Sequence, residues 1–319
     1  MGIGCARSLS CSLCGSLPAT CQMAQLPAFS KQDLQKPYNK VAFLVTHNSY
    51  SYGIDFGIWA HNQRFSVARQ LNDGVRGLML DLYVGWNDAD VRLCHGSCIW
   101  SGSTDLLFTL IEIREFLERN THEVVTIIFE DYLENPRILA KVFDEADISK
   151  FVLTSDYWGE VEDWPTLSEM ISLGRRLVVF NNVGLTEFPY STRNMWNFMI
   201  ESRYGSVSKN PNECKERKES KNHLGERRLL LVNWFTTIPN GLSPCLNDFD
   251  HLKRKLTTCY RKFGKWANFL AVDFYSKGSN GGAFKTVQWL NEKLTGSAKS
   301  SNLEMFLDFL EDEMREIES

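Results

Sequence analysis

The sequence lacks any long apolar run and any excess of positive charge. No stretch approaches the roughly 18 consecutive apolar residues that a transmembrane helix requires, so the sequence predicts no membrane span. Lys and Arg number 35 against 39 Asp and Glu, a net charge of −4, and this balance offers no basic surface for nucleic acid. With 319 residues, 43% of them hydrophobic, the composition is that of a folded globular protein rather than a long disordered chain.

The two ends of the sequence lack common targeting signals. The first residues show no basic region followed by an apolar region, and Ala6 stands where a myristoylation signal has Ser or Thr. No hydrophobic tail follows residues 296–319, which predict an amphipathic acidic helix, so we expect no lipid anchor of the glycosylphosphatidylinositol type. Residues 1–36 form a Cys-rich segment, and residues 37–295 carry the alternating elements of one domain.

Cysteines are numerous, and their spacing favours disulfides over zinc. Nine are present, and four of them lie in the first 21 residues: Cys5, Cys11, Cys14 and Cys21. The N-terminal spacing has no paired CxxC motifs with nearby His ligands, as a zinc site would need. Cys94 and Cys98 flank His95, and a bridge between them would make the loop that carries His95 rigid. We therefore expect an oxidising, extracellular location.

Polar side chains end several short β-branched and apolar runs. His47 ends one run, His95 follows another, Asp81 lies near the end of the run that starts at Arg76, and Glu130 ends a fourth. Runs of this length and composition predict strands buried on both faces. The C-terminal ends of parallel strands carry the functional groups of such a sheet, so the two histidines suggest an acid and a base.

Strands and helices alternate over most of the chain. Residues 103–120 place apolar side chains at helical spacing between two strands, and further strand candidates lie at 177–182, 228–235 and 268–275. Thr166, with Glu169 three residues later, predicts a helix start before the first of these. The pattern predicts a single α/β domain, a TIM-like (β/α)8 barrel with a Cys-rich N-terminal extension.

Five segments resemble the X-domain superfamily of phosphatidylinositol-specific phospholipase C, and within it the plant-type phosphodiesterases. They are PYNKVAFLVTHNSY, QLNDGVRGLMLDLY with LCHGSC behind it, FLERNTHEVVTIIFEDY, RRLLLVNWFTT and KWANFLAVDFY, and they span roughly residues 37–277. The resemblance implies a TIM-like barrel that acts as a phosphoric diester hydrolase on phosphatidylinositol-like lipids. It implies phosphoinositide or glycosylphosphatidylinositol substrates at a peripheral membrane surface, and we expect a monomer.

The resemblance also implies roles for single residues. His47 would accept the proton of the inositol 2-hydroxyl, whose oxygen attacks phosphorus, and His95 would protonate the departing diacylglycerol oxygen. Asp273 ends the last strand, which lies beside the first in a closed barrel, and could orient His47 through its second nitrogen. The alternative for Asp273 is a hydrogen-bonded structural carboxylate. Arg76 has an odd spacing from Asp81, which predicts the opposite strand face and a structural ion pair.

The resemblance also implies a metal site, but one of its ligand positions carries an unsuitable residue. Bacterial members of the family have an Asp and an Arg at the positions of Met79 and Asp81, and the calcium-dependent members have a Glu and an Asp there. Asn48, Asp81 and Glu130 match three calcium ligands of that second branch, and all three are oxygen donors. Met79 is a poor ligand for calcium, so the resemblance implies a weak Ca²⁺ site that water or substrate phosphate completes. Glu130 has the alternative of an ion pair with Lys or Arg.

Two other functions remain open at the sequence level. One is a phosphodiesterase for another lipid, such as a sphingolipid, in which an internal hydroxyl also attacks phosphorus. The other is a barrel that binds lipid or glycan without turnover, which Met79 favours.

Overall fold

The computed structural model of the protein describes residues 29–53, 56, 61–85, 90–133, 135–154, 164–183, 193–222, 229–239 and 246–295. The four N-terminal cysteines and the predicted C-terminal helix lie outside the described residues. Phe29 and a short helix, α1 (Lys31–Leu34), are described and pack against the barrel, although the sequence pattern assigned them to the N-terminal segment.

In the described part of the chain, ten strands form a single sheet. They are β1 (Phe43–Thr46), β2 (Gly77–Val84), β3 (Val91–Leu93), β4 (Thr104–Asp105), β5 (Val125–Asp131), β6 (Leu177–Asn181), β7 (Arg193–Asn194), β8 (Met199–Glu201), β9 (Leu229–Trp234) and β10 (Phe269–Val272). Eight of them lie parallel in the order β7-β6-β5-β2-β1-β10-β9-β8. The other two, β3 and β4, form an antiparallel extension from β2.

The connection between β7 and β8 shows that this sheet curls into a barrel. The two strands lie at opposite ends of the strand order, yet only residues 195–198 separate them. Eight flat strands spaced about 4.8 Å apart would place their outer edges more than about 30 Å apart. The linking residues reach at most about 18 Å, so the two edges must come close together. The TIM-like barrel is confirmed, with an open seam between β7 and β8, where no ladder joins the described residues.

Among the residues that the structure describes, seven helices accompany the strands. Besides α1 they are α2 (Val67–Asn72), α3 (Leu106–Arg119), α4 (Pro136–Glu145), α5 (Leu167–Ser172), α6 (Phe249–Phe263) and α7 (Gly282–Thr295). The predicted cap of α5 is present, since Thr166 and Glu169 exchange side-chain and backbone hydrogen bonds. Between β7 and β8 a 3-10 turn at Met195–Asn197 replaces an α-helix, so the (β/α)8 pattern is interrupted at the seam. Membrane crossing would need a longer and more apolar helix than any that the structure describes.

Side-chain alternation along the strands separates the barrel interior from the layer under the helices. Phe43 and Val45 of β1 pack inside the barrel, whereas Leu44 packs outward against helices. The same period of two brings the next inward residue of each strand to the C-terminal end of the barrel. We call this end the mouth. The strand register therefore gathers His47, Asp81, Glu130 and Asp273 at the mouth.

Candidate active site

His47 forms one histidine–carboxylate pair at the mouth. Strands β1 and β10 are parallel neighbours, and their ends bring His47 Nδ1 within 2.9 Å of Asp273 Oδ1. A carboxylate has only acceptors, so Nδ1 carries the proton and Nε2 is the free basic nitrogen. The imidazole also stacks on Phe235, with ring centroids 3.6 Å apart. The structure thus contains the contact that an orienting role of Asp273 requires, and the role itself stays a prediction.

Asn62 links the His47–Asp273 pair to the side-chain amide of Asn48. The sequence analysis did not identify this residue. Its Nδ2 donates to Asp273 Oδ1 at 3.0 Å, and its Oδ1 accepts from Asn48 Nδ2 at 3.3 Å. Its backbone carbonyl accepts from the N–H of Phe274, directly after Asp273. Asn62 is buried but lies on a loop, where no strand periodicity indicates which side chains turn inward.

His95 forms the second histidine–carboxylate pair. It follows β3, and its Nδ1 lies 3.1 Å from Asp81 Oδ2. The hydrogen bond to Asp81 raises the pKa of His95; partial burial opposes this shift, and the charges of Glu130 and Asp273 add to it. The sequence analysis gave Asp81 to a metal site and did not foresee this pairing. A protonated His95 with an exposed Nε2–H is suited to act as an acid.

The loop that carries His95 is fastened at several points. The predicted bridge between Cys94 and Cys98 is present. The backbone N–H of Gly96 also donates to the Tyr83 hydroxyl at 3.2 Å. This loop faces a cavity of about 150 Å³, whose lining includes His95, Asn48, Asn62, Ser101, Thr237 and Ile238. His95 lines this cavity directly, whereas the His47–Asp273 pair lies behind Asn62, one of its lining residues.

The three predicted metal ligands come from three adjacent strands. Asn48 follows β1, Asp81 lies in β2, and Glu130 in β5 is the register partner of Asp81. Asn48 has a φ of 42°, and its buried Oδ1 has no hydrogen-bond partner among the described residues. Asp81 also holds His95, and Glu130 Oε1 accepts from the Tyr132 hydroxyl at 2.7 Å.

The side-chain oxygens of Asn48, Asp81 and Glu130 suit a hard cation, but they are too few to fill its coordination shell. No group of three or more His, Cys, Asp or Glu side chains in the described part of the chain is placed to hold a metal ion. A site would therefore depend on Asn48 and on water or phosphate oxygens.

Arg76 takes no part in the site. Its Nε pairs with Glu123 Oε2 at 2.8 Å, and it donates to the carbonyls of Leu71 and Val75. This is the structural ion pair that the strand spacing predicted.

Apart from the candidate active site, a cluster of polar side chains around the buried Glu201 lies inside the barrel at the seam. Glu201 in β8 pairs with Arg217 at 3.3 Å and accepts from Asn233 Nδ2 at 2.7 Å. Burial raises the pKa of Glu201, and the charge of Arg217 opposes that shift. Arg217 lies in a run of charged residues after β8, yet only 18% of its side chain is exposed.

Lys209 is another cation near the active site. Burial lowers its pKa to about 8, although the charge of Asp273 opposes the shift. Its Nζ donates to the carbonyl of Leu246 at 3.0 Å and lies 4.5 Å from the centroid of the Trp234 ring.

A parallel barrel with two histidine–carboxylate pairs at its mouth places the protein among the phospholipase C-like phosphodiesterase folds. The PI-PLC X 1 family description matches residues 34–291, and the chain belongs to that family. A PI-PLC X domain-containing protein of Arabidopsis thaliana is 33% identical over 310 residues, which cover 90% of this chain and 71% of the relative. An uncharacterized secreted protein of Arthroderma benhamiae is 26% identical over 80% of this chain and 62% of its own length.

Solved structures agree on the fold. A mutant of the phosphatidylinositol-specific phospholipase C of Staphylococcus aureus superposes with a TM-score of 0.53 at 14% identity, covering 81% of this chain and 93% of that one. The phosphatidylinositol-specific phospholipase C of Listeria monocytogenes gives a TM-score of 0.53 at 14% identity, over 83% and 97% of the two chains. The predicted family and fold are therefore confirmed.

Proposed function

We propose that the protein is a phosphoric diester hydrolase of phospholipase C type that cleaves phosphatidylinositol or a glycosylated relative. The observation that carries the proposal is the presence of two histidines at the mouth of one barrel, each held through Nδ1 by its own carboxylate. One carboxylate per imidazole fixes both tautomers and leaves both Nε2 atoms available for proton transfer.

In this reaction the two histidines divide the proton transfers. His47 Nε2 accepts the proton of the inositol 2-hydroxyl while that oxygen forms a bond to phosphorus. The bond from phosphorus to the glycerol oxygen breaks, and His95 Nε2–H gives its proton to the departing oxygen. The products are a cyclic inositol phosphodiester, which water can open, and a diglyceride. Asp273 and Asp81 hold the two rings and stabilise the imidazolium forms.

A calcium ion is a further part of the proposal. Asn48, Asp81 and Glu130 would hold it, and it would supply positive charge to the phosphoryl oxygens. The unpaired Oδ1 of Asn48 supports this assignment.

The setting that we propose is extracellular, at a peripheral membrane surface. Two disulfides among the described residues, Cys94–Cys98 and Cys214–Cys259, support an oxidising compartment. The secreted relative from Arthroderma benhamiae supports the same assignment.

The test is diglyceride release from phosphatidylinositol vesicles, with calcium and with chelator. His47→Ala and His95→Ala should each lower the rate about 10²- to 10⁴-fold, because each removes one proton transfer. His122→Ala is the matched control, since His122 is exposed on the turn before β5 and should leave the rate unchanged. Release that persists in chelator would keep the histidines and discard the metal. A wild type inactive on inositol lipids would overturn the proposal and favour a different phosphodiester or a binding protein.

A further inference from the structure

Each member of the His47–Asp273 pair is followed directly by a residue with left-handed backbone. Asn48 has a φ of 42°, and Phe274 has a φ of 46°. Asn tolerates this conformation, but a bulky residue such as Phe adopts it only under strain. Such strain persists where surrounding contacts hold the chain, and Asn247 Nδ2 does so at the second turn, where it donates to the carbonyls of Asp273 and Phe274 at 2.9 and 3.0 Å. The backbone on either side of the pair is therefore held in place by side chains.

Gln63 joins the two strand ends to each other. Its side chain is fully buried, and its Nε2 donates to the carbonyl of His47 at 2.8 Å and to the carbonyl of Val272 at 3.0 Å. Its Oε1 accepts from the backbone N–H of Tyr275 at 3.4 Å. A side-chain amide has two N–H donors and one carbonyl acceptor, and here all of them bind backbone next to the pair. One side chain thus connects the end of β1 to the chain on both sides of Asp273.

We propose that Gln63 is a positioning residue, which sets the geometry between His47 and Asp273 by fixing the backbone that carries them. The carbonyl of Val272 belongs to the peptide bond that leads into Asp273, and the carbonyl of His47 to the one that follows the imidazole. Rotation of either peptide would turn one side chain of the pair against the other. Gln63 is fully buried and is not among the described residues that line the cavity, so it acts on a substrate only through this pair. The catalytic consequence rests on the proposed function.

A similar buried amide at the other end of the same strands provides a matched control. Asn268, directly before β10, is fully buried, and its Nδ2 donates to the carbonyls of Asn39 and Val41 at 2.9 and 3.2 Å. Its Oδ1 accepts from the backbone N–H of Leu230 at 3.0 Å. Asn268 therefore equals Gln63 in burial and in the kind of hydrogen bonds that its side chain makes, but it lies at the N-terminal end of the strands, away from the mouth.

The experiment compares Gln63→Met with Asn268→Leu in the full chain, because each substitution nearly keeps the shape of the side chain and removes its hydrogen bonds. The first measurement is the NMR resonance of the proton on His47 Nδ1, assigned by its loss in His47→Ala. A proton held against a carboxylate resonates at lower field than one on a free imidazole. In Gln63→Met the resonance should move to higher field or broaden through exchange with water, and in Asn268→Leu it should stay in place. Thermal unfolding shows that each variant is folded.

The second measurement is diglyceride release from phosphatidylinositol vesicles by the same variants. Gln63→Met should lower kcat about 10- to 100-fold and leave KM within about twofold, as expected when a catalytic group is misplaced by up to about 1 Å. Asn268→Leu should leave kcat unchanged, although it loses as many hydrogen bonds. Gln63→Asn is a second variant in case Gln63→Met does not fold. Its amide stays polar but is one methylene too short to reach both carbonyls, so it should shift the resonance in the same direction.

The two measurements separate the positioning role from the reaction. A His47 resonance that changes in the Gln63 variant and not in the Asn268 variant supports the role of Gln63. An unchanged resonance in a folded Gln63 variant overturns it, as does an equal loss of kcat in Gln63→Met and Asn268→Leu. If the resonance depends on Gln63 while the wild type releases no diglyceride, the proposed reaction is wrong and the positioning role stands.

Discussion

At the scale of single residues, the two histidines differ in how their surroundings act on them. His47 is largely enclosed between Phe235 and the Asp273 carboxylate, whereas the side chain of His95 is 61% exposed. The hydrogen bond from His95 to Asp81 is the largest cause of its raised pKa. This asymmetry suits a base that is shielded from water and an acid that meets the leaving group at the cavity edge.

The pH dependence of the reaction should reveal the hydrogen bond between His95 and Asp81. If His95 must be protonated, kcat/KM falls as the pH rises through the raised pKa of His95. Asp81→Asn removes the negative partner, so the alkaline limb of the profile should move to lower pH. Glu130→Gln removes a more distant charge as well as a proposed calcium ligand, so with calcium kept saturating it should move the limb less, in the same direction. The measurement is the pH profile of kcat/KM for the three proteins, and an alkaline limb that stays in place in Asp81→Asn would contradict the acid role of His95.

At the scale of elements, the two disulfides restrain the chain over different lengths. Cys94 and Cys98 are 4 residues apart and fix one loop, whereas Cys214 and Cys259 are 45 residues apart and join the segment after β8 to α6. A bridge that closes a longer loop removes more entropy from the unfolded chain. The long-range bridge should therefore govern stability, and the short-range bridge should govern the position of His95.

Double serine variants separate the two effects. Cys214→Ser with Cys259→Ser should lower the free energy of unfolding by about 2–5 kcal/mol. Cys94→Ser with Cys98→Ser should cost less than this, because its loop is short, yet it should lower kcat more. The measurements are denaturant unfolding and phospholipase activity of both folded variants. Equal losses of stability with unchanged activity in the short-range variant would refute this division.

The elements also show what the sequence could predict. Strand periodicity placed His47, Asp81, Glu130 and Asp273 together, because a period of two and a parallel register leave little freedom. Asn62 could not be found in this way, because it lies on a loop whose path depends on tertiary contacts. The partner of Cys259 was equally hidden, since nine cysteines permit many pairings and sequence distance does not select among them.

At the scale of the whole molecule, no strand pairing closes the described barrel between β7 and β8. Side chains and a segment that follows β8 hold the two edges of this seam together. The backbone N–H of Arg217 donates to the backbone carbonyl of Glu201, and the backbone N–H of Arg203 donates to the backbone carbonyl of Lys215. Residues 215–217 therefore run antiparallel along the edge of β8. The Arg217 guanidinium lies 5.3 Å from the ring centroids of both Trp196, in the link between β7 and β8, and Tyr204. The buried pair of Arg217 and Glu201 therefore connects both sides of the seam.

Removing one member of this pair should destabilise the whole barrel. Arg217→Leu leaves a buried carboxylate without its cation, and the expected cost at neutral pH is about 3–5 kcal/mol. The loss should shrink as the pH falls, because the pKa of Glu201 is already raised by burial and rises further without Arg217, so that protonation relieves the unpaired charge. Adding Glu201→Gln should restore most of the stability at neutral pH.

Arg119→Leu breaks an exposed pair with Glu115 and serves as the control, with an expected change within about 0.5 kcal/mol. Denaturant unfolding at several pH values distinguishes the outcomes. A pH-independent loss in Arg217→Leu, or no recovery in the double variant, would mean that the seam is held by packing of Arg217 on the two aromatic rings rather than by its charge.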